Sequence, residues 1–262
     1  MADRPLALVT GATAGIGAEY CRQLAARGYD LLAVARDGDR LRAFGAELAA
    51  RDGITCEAVV ADLATDDGIA AVEATIAARP SLALLVNNAG FGTTGTLLTA
   101  DPAQQRRMLT LHVDAVHRLT RAALPAMTQR RAGGIITVAS VASFLASGGN
   151  VNYCATKTWQ RVYMMGLAVE LRGTGVVAQA LCPGFTSTEF HDRMGFDQRG
   201  RTPAWMWHPA SDVVATSLRA LDARGPVVVI PGVVYKLAVV LARHLPLWLV
   251  ERLSTVYRRD RG

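Results

Sequence analysis

The fold of this 262-residue chain is decided near its start, by Leu6-Ala7-Leu8-Val9-Thr10-Gly11-Ala12-Thr13-Ala14-Gly15-Ile16-Gly17. A short aliphatic run typical of a buried strand leads into a glycine-rich turn, and the turn opens a helical segment. In such a turn the first glycine permits the tight bend, the second lets backbone approach a pyrophosphate, and the third allows close helix packing. The helix N-terminus supplies N–H groups and partial positive charge. We therefore predict a dinucleotide site formed by Gly11, Thr13, Ala14, Gly15, Ile16 and Gly17.

Short aliphatic runs and helix-length segments alternate along the rest of the chain. The predicted strands are Leu6–Val9, Leu31–Ala35, Ala58–Ala61, Leu82–Val86, Ile135–Ala139, Val176–Leu181 and Val227–Ile230. The predicted helices are Ile16–Ala26, Arg40–Arg51, Asp66–Arg79, Pro102–Gln129, Tyr153–Arg172 and Asp212–Leu221. Near-continuous apolar strands separated by helices indicate a parallel sheet covered on both faces. The predicted fold class is α/β, with a doubly wound seven-stranded parallel sheet.

The composition and charge of the chain limit its expected domain number, partners and location. With 51% hydrophobic and 19% charged residues, the chain can bury a large core, and we expect a single domain over residues 1–262. The net charge of +6 comes mostly from arginines scattered along helices, and aromatic residues make up only 6%, so no nucleic-acid partner is expected. No run of eighteen apolar residues and no signal-like start are present, so we expect a cytoplasmic location.

The four cysteines are Cys21, Cys56, Cys154 and Cys182. They are widely spaced and none forms a Cys-x-x-Cys pair, which predicts buried free thiols and no metal site. Cys154 adjoins Tyr153, but no histidine lies near it in sequence to activate a thiolate.

The second predicted strand ends in Ala35-Arg36. An enzyme that uses NAD would typically have an acid here for the ribose 2′-hydroxyl, whereas an arginine pairs with a 2′-phosphate. We therefore expect NADP, with NADPH preferred over NADH. Asp37 follows directly and weakens this inference, and Arg36 could also be a solvated side chain.

Tyr153 stands four residues before Lys157, one of only two lysines. On a helix these side chains share a face, so the ammonium would favour phenolate and lower the tyrosine pKa. The tyrosine could then exchange a proton with a substrate oxygen near neutral pH. Alone the pair is a weak signal, because a tyrosine on an amphipathic helix is more often packing.

Together these residues resemble the short-chain dehydrogenase/reductase family, in its single-domain, Rossmann-like subgroup. The resemblance spans nearly the whole chain. Besides the glycine turn and the Tyr-x-x-x-Lys pair, the matching motifs are Asp62-Leu63, Asn87-Asn88-Ala89-Gly90, Ser140 thirteen residues before Tyr153, and Pro183-Gly184 followed by Thr186 and Thr188.

The resemblance implies a role for each motif. Asp62 and Leu63 would contact adenine, and Asn88, Ala89 and Gly90 would line the cofactor. Pro183, Gly184, Thr186 and Thr188 would hold the nicotinamide carboxamide. Tyr153 would donate a proton to a carbonyl oxygen oriented by Ser140, and Lys157 would also anchor the nicotinamide ribose.

One residue departs from the family pattern. His112, in Leu109-Thr110-Leu111-His112-Val113, stands where the family usually has an asparagine that completes a proton relay from the lysine. The imidazole could take over the relay, since it can donate and accept, or it could be a packed histidine with no relay role. We carry His112 as a candidate catalytic residue.

Two segments interrupt the alternation. The stretch at about 185–210 has no clean period and contains Trp205, Met206 and Trp207, which predicts a lid over the substrate site. The tail at about 232–262 is unusually apolar, and Pro246 would break it into two helices. Packing on the protein or a neighbouring subunit is favoured over peripheral membrane contact.

The leading functional hypothesis is an NADP-dependent oxidoreductase acting on a carbonyl or secondary alcohol of a fairly hydrophobic small molecule. The alternative is a non-catalytic NADP-binding sensor with the same fold, for which the His112 substitution is the only support. By family analogy the protein would be a homodimer or homotetramer, joined through the helices at 102–129 and 153–172.

Overall fold

The computed structural model describes residues 4–93, 95–188 and 202–244. The strands are β1 (Leu6–Thr10), β2 (Asp30–Ala35), β3 (Cys56–Val60), β4 (Leu82–Asn87), β5 (Gly133–Val138), β6 (Val176–Leu181), β7 (Thr186–Ser187), β8 (His208–Pro209) and β9 (Val228–Val229). Seven of them form one parallel sheet in the order β3-β2-β1-β4-β5-β6-β9, and β7 pairs with β8. The seven predicted strands coincide with these seven.

Helices cover both faces of the sheet. They are α1 (Gly15–Ala26), α2 (Gly38–Asp52), α3 (Asp66–Ala77), α4 (Pro102–Leu109), α5 (Ala115–Arg130), α6 (Val151–Glu170), α7 (Ala210–Asp222) and α8 (Val233–His244). One core lies beneath α1, α2 and α7, through side chains such as Tyr20, Leu41 and Val214. The other lies beneath α3, α5 and α6, through Ile69, Leu119 and Met164. The predicted three-layer α/β fold is confirmed.

The strand order reverses between β1 and β4. From β1 the chain winds outward through β2 and β3, then returns to β4 on the other side of β1 and winds outward again. Ligands in open parallel sheets bind in the crevice at the carboxyl ends of the strands, where the order reverses. The turns after β1, β2, β3, β4, β5 and β6 therefore converge on one cleft.

The helix predicted over 102–129 is not continuous. Between α4 and α5, residues Thr110–Asp114 form a π turn, in which the amide of Ala115 donates to the carbonyl of Thr110 five residues back. Apolar periodicity cannot distinguish a single wide turn from ordinary helix, so the sequence prediction missed it. Such turns often lie at functional sites, and this one contains His112.

The predicted lid and tail are described in part. Residues 185–188 and 202–209 carry β7, β8 and a short 3₁₀ turn at Ala204–Met206, and the tail begins as α8. Residues 189–201 and 245–262, with Pro246 and the arginines at the end, lie outside the described residues. Over the described ranges, no helix combines the length and the apolar character needed to cross a bilayer.

Candidate active site

A cleft of about 1450 Å³ runs along the carboxyl ends of the strands. All but two of the residues predicted for the site line it. Those that do are Gly11, Thr13, Ala14, Gly15, Ile16, Arg36, Asp62, Leu63, Asn88, Ala89, Gly90, Ser140, Tyr153, Lys157, Pro183, Gly184, Thr186 and Thr188. The two exceptions are Gly17, within α1, and His112, which is fully buried. The structure thus brings residues from six strand ends, those of β1 to β6, to one place.

The glycine turn after β1 has no room for side chains. A methyl group on Gly17 would lie 2.1 Å from the carbonyl oxygen of Gly11 and 2.4 Å from Nδ2 of Asn88. Gly11 itself has φ of +68°, in the left-handed region that glycine adopts without strain. The turn therefore requires glycine for both packing and backbone conformation.

Thr10 and Asn88 fasten this turn to the end of β4. The hydroxyl of Thr10 accepts hydrogen bonds from the amides of Asn88 at 2.9 Å and Ala89 at 3.0 Å. In return, Nδ2 of Asn88 donates to the carbonyl of Thr10 at 2.8 Å. We call Thr10, Gly11, Gly15, Gly17 and Asn88 the glycine wall: Gly11, Gly15 and Asn88 line the cleft, and Thr10 and Gly17 contact them from within the protein.

The first turn of α1 fits a pyrophosphate. Ala14 precedes the helix without a side-chain cap, and the first turn contains no acidic residue. The amide hydrogens of a first helical turn have no partners within the helix, and here the turn lines the cleft. A phosphate group there would meet N–H donors, the positive end of the helix dipole and no carboxylate.

Two arginines near the end of β2 line the cleft. Arg36 follows the strand directly and is exposed, and Arg40 lies in the first turn of α2. The carboxylate of Asp37 is engaged as the N-cap of α2, where it accepts from the amide of Arg40 at 3.0 Å. The Asp37 carboxylate, which weakened the sequence-based prediction of NADP, is therefore hydrogen-bonded to the first turn of α2.

Asp62 is paired rather than free. Its carboxylate accepts from Arg107 of α4 at 2.6 Å and from the amide of Ala64 at 3.0 Å. These bonds and the positive charge of Arg107 outweigh partial burial and lower the pKa of the Asp62 carboxyl. Arg107 also lines the cleft, and sequence reasoning did not identify it.

Ser140 and Tyr153 meet at the end of β5. The hydroxyl of Ser140 accepts from the amide of Ala142 at 3.1 Å, and it is hydrogen-bonded to the Tyr153 phenol. Burial raises the pKa of Tyr153 to about 12, although the bond from Ser140 opposes this. The sequence predicted a lowered Tyr153 pKa, and this prediction is wrong, because desolvation raises the pKa by more than the hydrogen bond with Ser140 lowers it. The phenol is held protonated, as a proton donor requires.

Lys157 is buried one turn further along α6. Its Nζ donates to the carbonyl of Val138 at 2.8 Å and to Oε1 of Gln160 at 3.0 Å, and it lies 5.8 Å from the centre of the Tyr153 ring. Desolvation lowers the pKa of Lys157 to about 7. The ammonium is thus close to titrating near neutral pH.

His112 lies behind Gly90, out of the cleft. Its Nε2 accepts from the amide of Phe91 at 3.2 Å, so the ring hydrogen is on Nδ1, which bonds Oγ1 of Thr156 at 3.0 Å. Burial, and secondarily the charge of Lys157, lower the pKa of His112 well below its usual value, so the ring is neutral. The relay role remains a prediction.

The chain after β6 closes the other side of the cleft. Thr188 packs on Gly15, where a methyl group would lie 3.0 Å from its Cβ. The amide of Phe185 donates to the hydroxyl of Tyr235 at 3.0 Å, and this hydroxyl donates to the carbonyl of Met206 at 2.7 Å. A single phenol of α8 thus joins the two described ends of the predicted lid.

Phe185, Met206, Tyr235 and Val239 line this side of the cleft, and we call them the apolar wall. The Tyr235 ring lies so close to Gly184 that a methyl group there would be 2.1 Å from it. One face of α8 therefore packs on the protein, through Tyr235 and Val239, whereas the other apolar side chains of this helix between residues 233 and 241 are exposed. Tyr235 carried no sequence signal, because nothing in its spacing relates it to Phe185.

Comparisons with known proteins agree with one another. The sequence model of the short chain dehydrogenase family matches residues 5–198. The 3-oxoacyl acyl-carrier-protein reductase of Escherichia coli is 31% identical over 194 residues, which cover 74% of this chain and 78% of the reductase. A short-chain dehydrogenase from Sphingobium yanoikuyae, solved with NADPH, is 32% identical with a TM-score of 0.82 over 98% of this chain and 94% of its own. A bulky-bulky ketone specific alcohol dehydrogenase from Comamonas testosteroni is 28% identical with a TM-score of 0.78, covering 98% and 92%.

Proposed function

The chain belongs to the short-chain dehydrogenase/reductase family, and from this premise we propose that it transfers hydride between NADP and the carbonyl or secondary alcohol of a bulky apolar molecule. The observation that carries the proposal is the meeting of Ser140, Tyr153 and Lys157 in the cleft. A protein that only bound a dinucleotide would not need these three side chains beside one another.

Each of the three side chains has a chemical role in this proposal. A nicotinamide held in the cleft would supply the hydride to the substrate carbon or accept it. Tyr153 donates its proton to the carbonyl oxygen, and Ser140 donates a hydrogen bond to the same oxygen. Lys157 stabilises the phenolate that forms when Tyr153 gives up its proton. In the direction of alcohol oxidation the same groups act in reverse.

Arg36, directly after β2, and Arg40, in the first turn of α2, support NADP. Both line the cleft, and the Asp37 carboxylate between them, which also lines it, accepts from the amide of Arg40 as the N-cap of α2. Two guanidinium groups suit a 2′-phosphate better than a 2′-hydroxyl. The Sphingobium yanoikuyae relative was solved with NADPH, which agrees with this proposal.

The apolar wall supports a bulky, uncharged substrate. Phe144 and Leu145 line the cleft together with the apolar wall, and Leu145 is half exposed at its mouth. Such a surface binds aliphatic or aromatic groups better than charged ones. The Comamonas testosteroni relative is specific for bulky-bulky ketones, which agrees with a substrate that carries groups on both sides of its carbonyl.

Replacement of the phenol tests the proposed function. We expect Tyr153→Phe to lower NADPH-dependent reduction of bulky ketones by about 100- to 10,000-fold, because the proton donor is lost. NADPH affinity should stay close to that of the parent. Tyr163→Phe is the matched control, since Tyr163 lies on the same helix and stacks on Trp159 away from the cleft. NADPH binding by the parent without any turnover that depends on Tyr153 would favour the sensor hypothesis.

An oligomer is part of the proposal. Val162, Met165 and Val169 lie on α6 and are 53%, 39% and 54% exposed, which leaves an apolar stripe on a helix that the family uses for association. Light scattering should give a dimer or tetramer, and a monomer at micromolar concentration would contradict this.

A further inference from the structure

Gln160 is a fully buried polar side chain next to the proposed catalytic lysine. It is 1% exposed and lies three residues after Lys157 on α6. Its Oε1 accepts from Nζ of Lys157 at 3.0 Å, and its Nε2 donates to the carbonyl oxygen of His112 at 2.9 Å. One amide thus connects the lysine directly to the π turn between α4 and α5.

The orientation of this amide follows from its two neighbours. An ammonium only donates and a carbonyl only accepts, so Oε1 must face Lys157 and Nε2 must face His112. A reversed amide would lose both bonds inside the core and leave the buried polar groups unpaired. Gln160 therefore has one stable orientation, in which the partial negative charge of its Oε1 lies against the Lys157 ammonium.

We propose that Gln160 is a positioning residue, which fixes the Lys157 ammonium beside Tyr153 and keeps it charged by tying it to the carbonyl of His112. The proposal rests on the proposed oxidoreductase function, since it assigns Gln160 a part in that reaction. Gln160 does not line the cleft, so it acts through Lys157 rather than on the substrate.

Little else near Lys157 can compensate for its burial. The titratable groups that face it are Tyr153 on α6, His112 on the π turn and Cys182 after β6. His112 is neutral, so it brings no charge that would stabilise the ammonium. No carboxylate of the described chain contributes to the Lys157 pKa either. The carbonyl of Val138 and the amide of Gln160 are the two acceptors that offset desolvation.

The same geometry stops a proton from passing through Gln160. Its oxygen accepts from Lys157 and its nitrogen donates to a backbone carbonyl, and neither a neutral amide nor that carbonyl has a proton to give to the lysine. Gln160 therefore holds Lys157 in place, and reprotonation of Tyr153 does not run along this path.

Titration of Lys157 tests the proposal without reference to turnover. The chain has only two lysines, so protein labelled with ¹³C at lysine Cε gives two signals, and Lys236→Arg assigns them. The pKa of Lys157 is measured with and without NADPH in the parent, Gln160→Leu and Gln160→Glu. Gln179→Leu is the matched control, because Gln179 is equally buried but bonds Ser217 in the core beneath α7.

The two Gln160 variants should move the titration in opposite directions. Gln160→Leu removes an acceptor and should lower the Lys157 pKa by about one unit, and Gln160→Glu adds an opposite charge and should raise it by at least about one unit. Gln179→Leu should leave it unchanged. The limb of kcat that falls with rising pH should move to lower pH in Gln160→Leu and to higher pH in Gln160→Glu.

Unchanged Lys157 titration in both Gln160 variants would overturn the proposal. If Gln160→Leu does not fold, Gln160→Met takes its place, because methionine keeps the length of the side chain but has no amide oxygen to accept from Lys157. A role confined to packing then predicts an unchanged Lys157 pKa. If the parent reduces no carbonyl compound but the titrations shift as expected, the proposed function fails while the Gln160–Lys157 coupling stands. Folding of each variant is checked by thermal denaturation.

Discussion

The glycine wall and the apolar wall face each other across one cleft, but different contacts hold them. In the glycine wall the backbone approaches so closely that Gly17 has no room for a methyl group. In the apolar wall one side chain, Tyr235, joins Phe185 and Met206 through its hydroxyl. The glycine wall should therefore tolerate almost no substitution. Single substitutions in the apolar wall should instead change the substrate preference of the protein and leave its fold intact.

The largest effect is expected in the glycine wall. Gly17→Ala places a methyl group 2.1 Å from the carbonyl of Gly11, so the turn must move away from its position for a pyrophosphate. If the overpacking cost of about 1–3 kcal/mol falls on the cofactor-bound state, the Kd for NADPH rises by about 5- to 150-fold, and we expect the upper end. Fluorescence titration of NADPH measures it.

Gly166→Ala is the matched control for this change. Gly166 lies within α6, and a methyl group there would meet no atom within 4 Å. Alanine in a helix interior is more favourable than glycine by about 0.5–1 kcal/mol, so this variant should gain stability and bind NADPH as the parent does. A Gly17→Ala variant that binds NADPH equally well would show that the close approach is not needed for the cofactor.

A smaller effect is expected at Arg36, where the cofactor side of the cleft depends on a side chain. Charge-assisted hydrogen bonds contribute about 1.5–3 kcal/mol, so Arg36→Ala should weaken NADPH by about 30-fold and leave NADH nearly unchanged. Arg42→Ala is the control, since Arg42 pairs with Asp39 on the exposed side of α2. Equal losses for NADPH and NADH would contradict the 2′-phosphate assignment.

The difference between the two walls also explains which parts of the site the sequence could predict. Glycine spacing after a strand and an arginine at a strand end are local signals, and they located the glycine wall and Arg36. The bonds of Tyr235 to Phe185, Gln160 to His112 and Arg107 to Asp62 join residues 50, 48 and 45 positions apart. No local pattern encodes such contacts, because they arise from the way the helices pack on the sheet.

The apolar wall gives the next smaller effect. Tyr235→Phe removes the bonds to Phe185 and Met206, worth about 1 kcal/mol each, and should raise the KM for a bulky ketone by about 10-fold. The Kd for NADPH should stay unchanged, because the glycine wall is untouched. Tyr29→Phe is the control on the far side of the molecule. A change in NADPH affinity without a change in KM would show that α8 supports the cofactor rather than the substrate.

The smallest effect is expected at His112, which lies outside both walls. Its Nε2 accepts from the amide of Phe91 and its Nδ1 bonds Thr156, so the ring contacts neither Lys157 nor Tyr153 by a hydrogen bond among the described residues. Burial, and secondarily the charge of Lys157, lower the pKa of His112 well below its usual value, so the ring is neutral at neutral and alkaline pH and adds no limb to the profile there.

His112→Asn and His112→Ala, assayed across pH, separate relay from packing. We expect Asn to keep kcat within about threefold, because its amide oxygen can accept from Phe91. Ala should lower stability by about 1–3 kcal/mol, because it leaves that buried amide unpaired. The pH at which kcat falls should be the same in both variants as in the parent, because Lys157 keeps its bonds to Val138 and Gln160. A shift of this limb in both variants would instead establish the imidazole as a proton relay. Protons would then reach Lys157 through His112 and not through either wall of the cleft.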